Sequence, residues 1–186
     1  MKKSILFILT AYIFFNNTYS QIRKGNWLMG GDANFISTYY TSTVASTSNQ
    51  ILIQLLGDIG YFITNKFTIG LKPGFESSTV KFFTGSNTVN TFGLGPFVRY
   101  YLLPNEKQVN ILSEVSYQYG LIHTNSPSEN LHTNKFLFSS GVAVFLNTST
   151  ALEFTIGYST LNYTNSSGRN NAVVAGIGFQ FHLEKN

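Results

Sequence analysis

The chain has 186 residues, no cysteine, 11% charged residues against 16% aromatic, and a formal net charge of +4. That length suits one domain, and the lack of cysteine excludes a disulfide framework, a thiolate metal site and a lipid-anchoring cysteine. A soluble domain commonly carries about 25% charged residues; here Ser, Thr, Asn and Gly supply the polarity instead, and no basic cluster marks a nucleic-acid face.

Residues Met1 to Ser20 read as a secretory signal peptide. Lys2 and Lys3 make a positive start, Ile5 to Phe15 is an apolar run interrupted at Thr10, and Thr18 and Ser20 place small residues before Gln21. The run is about half of the ~20 residues a helical span requires. The expected organisation is therefore a leader over 1–20 and one domain over 21–186.

From Asn26 onward, apolar and polar residues alternate with a period of two, which is the pattern of strands whose faces meet different surroundings. Eight strands are expected: Asn26–Tyr39, Gln50–Phe62, Phe67–Val80, Val89–Leu103, Val109–Ile122, Lys135–Leu146, Ala151–Tyr163 and Ala172–Leu183. Short connections (63–66, 104–108, 147–150) alternate with longer ones (40–49, 81–88, 123–134, 164–171). Together these predict an all-β, eight-stranded antiparallel up-and-down transmembrane β-barrel. A soluble, lipocalin-like barrel would reverse the faces, with its apolar residues inside.

Charge supports the phase. Trp27, Met29, Ile69, Leu71, Val115, Ile156 and Tyr158 fall on one set of faces, and Asp32, Lys72, Glu76, Glu114 and Glu153 on the other. Strands two and four are less decisive, because Leu52, Leu56, Phe97 and Tyr101 share a face with Asp58 and Arg99. In-strand glycines fall mostly on the inward set, where bending and close approach are needed, and Pro73 and Pro96 are expected to mark bulges. Aromatic residues gather near both strand ends, as in the girdles of a membrane barrel.

Two segments, Gly60-Tyr61-Phe62-Ile63-Thr64-Asn65-Lys66-Phe67-Thr68-Ile69-Gly70 and Gly93-Leu94-Gly95-Pro96-Phe97-Val98-Arg99-Tyr100-Tyr101, carry a family likeness. The first resembles the strand–turn–strand hairpin of the outer-membrane β-barrel domain proteins of Gram-negative bacteria, in the small OmpA/OmpX-like class. The second is similar to that family's Gly-rich strand bearing an inward arginine. The ending Gly178-Phe179-Gln180-Phe181-His182-Leu183 is similar to the family's terminal strand signal, with three residues after the last apolar position. The resemblance implies an outer-membrane location and insertion by the barrel-assembly machinery; the apolar faces imply contact with outer-membrane lipid, and no cofactor is expected.

The candidate site is the inward set Asp32, Asp58, Lys72, Glu76, Arg99, Glu114 and Glu153. An eight-stranded interior has room for little beyond side chains, so these are read as a salt-bridged plug, with Arg99 bridging Glu76 and Glu114. A narrow pore is the alternative. Phe82 and Phe83, in the second outer loop, mark either a contact site for an unidentified extracellular ligand or a strand that continues beyond the membrane. A lipid A-modifying acyl enzyme would need a serine, a base and an acid held together. His123, Ser126, Ser128, Glu129 and His132 lie close in the third outer loop but match no such motif, nor a metal motif. The expected function is a non-enzymatic outer-membrane barrel serving envelope integrity or surface contact through its loops.

The leader has a direct check. Mass spectrometry of the membrane-extracted protein should find a mature chain beginning at Gln21, and retention of residues 1–20 would remove the argument for export.

Overall fold

The computed structural model describes residues 22–40, 48–82, 85–123, 132–164 and 169–184, with the side chains of 35–40, 48–50 and Phe82 outside that description. Eight strands run in chain order: β1 (Trp27–Tyr40), β2 (Ser48–Thr64), β3 (Phe67–Phe82), β4 (Gly85–Tyr101), β5 (Val109–His123), β6 (His132–Phe145), β7 (Thr150–Tyr163) and β8 (Arg169–Leu183). Each pairs antiparallel with its neighbour, and β1 pairs with β8 to close the barrel. With an even number of strands, both ends of the barrel chain lie at one rim, here the terminal end; the other rim is the far end.

At the terminal end the turns are tight and specified locally. Asn65–Lys66 joins β2 to β3 with Lys66 at φ 76°, and the pairing register shifts between Phe62 and Thr64. Asn147 accepts the amides of Ser149 and Thr150 on Oδ1, both at 2.8 Å, forming the side-chain-mimicked turn that leads into β7. Asn110 Oδ1 accepts the Leu103 amide at 2.9 Å between β4 and β5.

Two expectations about the strands need correcting. Residues 81–88 are not a long loop: β3 and β4 pair through Phe82 and Gly85, so two residues connect them. The alternation continues there with its polar residues outward, which made the extension look like a loop. Nor do Pro73 and Pro96 shift the register. The ladder skips the pairs around Pro73 on the β2 side and around Pro96 on the β5 side, then resumes in phase. Each ring removes one donor, while pairing on the strand's other side is retained. Glycine makes this possible at two points. Gly57 faces the Pro73 ring, and a Cβ at Gly95 would overlap the Tyr117 carbonyl.

The outward face is an apolar wall. Ile156 is 62% exposed, Ile177 56%, Phe92 58% and Leu71 52%. Apolar surface this continuous is not sustained in water and is the exterior of a membrane barrel. Inside, the terminal end is filled by an apolar layer of Leu28, Phe62, Tyr101, Leu112 and Phe145. The segment before β1 tucks into the same layer and buries Ile22 completely. Gly25, at φ 94°, donates its amide to the Phe62 carbonyl at 2.9 Å, and Asn105 Nδ2 donates to the Ile22 carbonyl at 2.7 Å. Tyr101 and Phe97, which blurred the phase of strand four in the sequence, thus face inward beside Arg99.

In lipid vesicles, Ile156→Arg should lower unfolding stability by roughly 2–4 kcal/mol in a urea titration, whereas Asn134→Arg, on the outward face near the far rim, should change it little. Equal effects would mean that the wall facing lipid has been misassigned.

Candidate functional site

Above the apolar layer, every strand except β6 sends a polar side chain into one buried cluster. Asp32 comes from β1, Asp58 from β2, Lys72 from β3, Arg99 from β4, Glu114 from β5, Glu153 from β7 and Gln180 from β8. All lie on the inward phase of their strands, so a period of two delivers them without any loop. Lys72 and Arg99 are the hubs. The Lys72 ammonium pairs with Asp58 Oδ1, with Glu114 Oε1 at 2.9 Å and with Asp32 Oδ2 at 3.5 Å. Arg99 Nη2 lies 2.8 Å from Asp58 Oδ2 and 2.6 Å from Glu114 Oε2, and Nη1 lies 3.3 Å from Glu153 Oε2. Its Nε also donates to Glu114 Oε2, at 2.8 Å. The planar guanidinium, with five donors in fixed directions, is the group that can serve three carboxylates at once.

Neutral partners complete the layer. Gln180 Nε2 donates to Asp58 Oδ2 at 2.6 Å, and Gln118 Nε2 donates to the Lys72 carbonyl at 2.9 Å. The Tyr101 hydroxyl donates to Glu153 Oε1 at 3.3 Å and lies 3.3 Å from His182 Nε2, tying the charges to the apolar layer below. The Phe97 ring stands 5.4 Å from Lys72 Nζ and 5.6 Å from the Arg99 guanidinium carbon, within cation–π range of both.

Glu76 is placed elsewhere. The expected bridge from Arg99 to Glu76 does not form, because Arg99 lies opposite Thr68 and Glu76 opposite Thr91. At about 3.3 Å per residue along a strand, that offset exceeds any side chain's reach. Glu76 Oε2 instead accepts from Gln54 Nε2 at 2.8 Å and from Lys135 Nζ at 3.2 Å, across the lumen. Asp58 and Glu153 take its place at Arg99. Lys135 was missed as a third inward base, although it shares the inward phase of Thr133 and Ser139 on β6.

At the Glu76–Lys135 pair, which forms part of its lining, the lumen widens into a cavity of about 900 Å³ that opens at the far end. Gln54, Thr91, Gln118, Thr133 and Ser159 line its lower part. Of the two phenylalanines singled out as an outer contact, Phe82 ends β3 with its side chain outside the described residues, and Phe83 lies outside them altogether. So do Ser126, Ser128 and Glu129. His123 closes β5 and His132 opens β6, with the His132 ring stacked on Tyr119 at 5.3 Å. Among the described residues, no group of three His, Asp or Glu side chains is arranged to hold a metal.

No protein-family model matches the chain, and no curated protein sequence does. Solved structures match in fold. The outer membrane protein OprG from Pseudomonas aeruginosa superposes with a TM-score of 0.59 at 15% identity, over 89% of this chain and 100% of that one. Neisserial surface protein A gives a TM-score of 0.54 at 8% identity, over 85% and 97%. The N-terminal β-barrel domain of Pseudomonas aeruginosa OprF gives 0.51 at 12% identity, over 86% and 98%. The fold is that of the small eight-stranded outer-membrane barrels.

Removing one hub leaves several buried carboxylates without a counter-charge, and breaking such a pair typically costs about 3–5 kcal/mol. Arg99→Ala should therefore destabilise the folded barrel by several kcal/mol in urea titrations. Lys135→Met, which strips one carboxylate of one partner at the half-buried rim of the cavity, should have a clearly smaller effect. Comparable losses from both would show that the central layer is not the main polar tie.

Proposed function

We propose that this protein is a non-enzymatic barrel of a Gram-negative outer membrane, sealed across its lumen, that serves envelope integrity and presents its far end to the medium. The observation that carries this reading is the double closure of the interior. An apolar layer completed by Ile22 underlies a charge layer in which Lys72, Asp58, Arg99 and Glu153 are essentially inaccessible to solvent. Burial of this kind in two successive layers supports a lumen closed to water and ions. The apolar wall supports contact with outer-membrane lipid. Ring contacts near its two levels support girdles at the interfaces: Trp27 with Tyr61 at 5.3 Å at the terminal end, and Phe75 with Phe92 at 5.0 Å toward the far end. In this orientation the terminal end is periplasmic, and the barrel-assembly machinery would close β1 against β8. Acyl transfer on lipid A finds little support, because among the described residues the hydroxyls lining the cavity have no histidine beside them.

Reconstitution into planar bilayers tests the seal. Wild-type protein should show no steady channel activity at neutral pH. Steady, cation-selective channels would replace the sealed barrel with a narrow pore in which the surplus of inward carboxylates conducts.

A further inference from the structure

Beyond the Glu76–Lys135 pair the polarity of the wall inverts on β3, β4 and β7, while β2 keeps Ile53 and Ile51 on its outward phase. On β3 the outward side changes from Leu71 and Phe75 to Ser77 and Thr79; on β4 it changes from Leu94 and Phe92 to Asn90 and Thr88; on β7 Tyr158 gives way to Thr160 and Asn162. These outward polar residues bond across the strands: Thr79 with Thr88 at 3.0 Å, Thr160 with Asn171 at 3.1 Å, and Arg169 with Asn162 at 3.2 Å. The inward side changes in the opposite sense. Leu52, Val80, Val89, Ile122, Leu161 and Ala172 form an apolar collar around the cavity, each half-buried.

A strand wall that is polar outside and apolar inside is the wall of a soluble ligand-binding barrel. On these three strands the far third of the barrel is therefore built on different rules from the part below it. The cavity, collar and belt together, holds about 900 Å³, ample for a small molecule, and below the collar lies a hydrogen-bonding belt in which Gln54, Thr91 and Ser159 stand with the Glu76–Lys135 ion pair. Under that belt the charge layer holds four carboxylates, Asp32, Asp58, Glu114 and Glu153, against two bases, Lys72 and Arg99. Glu76 and Lys135 offset each other. The cavity floor thus disfavours an anion.

We propose that this cup binds a single-chain amphiphile, its alkyl chain held by the collar and its uncharged or cationic head set on the polar belt. The assignment goes beyond the sealed-barrel reading and stands whether or not the lumen below conducts. Each methylene transferred from water into the collar should strengthen binding by up to about fourfold.

The test uses the full chain in lipid nanodiscs, with methyl-labelled Ile, Leu and Val, titrated with 1-nonanol, nonylammonium and nonanoate. Methyl resonances of Val80, Val89, Ile122 and Leu161 should shift saturably with the alcohol and the amine and at least tenfold more weakly with the acid. Lipid-facing Ile156 and Ile177 should drift without saturating. Ile122→Asn should weaken the saturable response about tenfold or more, and Val89→Thr, which keeps the shape of the side chain, should weaken it severalfold even if the first variant assembles poorly. A collar silent to all three probes, or one that only follows the lipid-facing methyls, overturns the site. Nonanoate binding as tightly as the amine overturns the head-group assignment.

Discussion

Two cations and four carboxylates meeting inside a closed barrel set the terms for the rest of the molecule. The space enclosed by eight strands is too narrow for a hydration shell around each charge, so each must find its partner in protein. Lys72 and Arg99 do this from adjacent strands, and their partners arrive from β1, β2, β5 and β7. The layer therefore ties strands that never pair through backbone bonds, and it does so at one height. A register slip of one residue in any contributing strand would turn its charge toward the outer wall. The polar interior is thus a register lock as well as the filling of a narrow lumen.

The interior is also zoned. The apolar layer at the terminal end excludes water from one side of the charges, which strengthens every ion pair above it. The glutamine, threonine and serine belt grades the charge layer into open space on the other side. Small residues serve this zoning: Gly57 and Gly95 admit the proline ring and the close strand crossing that keep the ladder in phase where donors are missing.

Much of this architecture is legible in the sequence, because the wall between two environments writes itself as a period of two. All eight strands, and the inward phase of Asp32, Lys72, Glu114 and Glu153, follow from that alternation. Two things were not legible. Height along the barrel depends on inter-strand register, which one sequence does not state, so inward phase alone pairs Arg99 with Glu76 rather than with Asp58 and Glu153. Polarity inversion was the second obstacle. Where Thr79, Thr88, Thr160 and Asn171 face outward, the expected sign of the pattern reverses, and strand extensions over 81–88 and 169–171 resemble loops. Tyr101 and Phe97 misled for a related reason: the interior is apolar at one level and charged at the next.

The seam between β1 and β8 joins Trp27–Asn34 to Gly176–Leu183, so the two ends of the strand order meet at the closing step. Contacts spanning nearly the whole chain are the slowest to form. Until they do, both terminal strands expose unpaired edges that invite association with other chains. The charge layer sharpens this dependence: Asp32 sits on β1 and Gln180 on β8, each bonded to a hub or its partner near mid-barrel. A nascent sheet of seven strands would hold the hubs with their cage incomplete and two edges open. Maturation of this molecule is therefore close to all-or-none, with arrival of the last strand as the committing event.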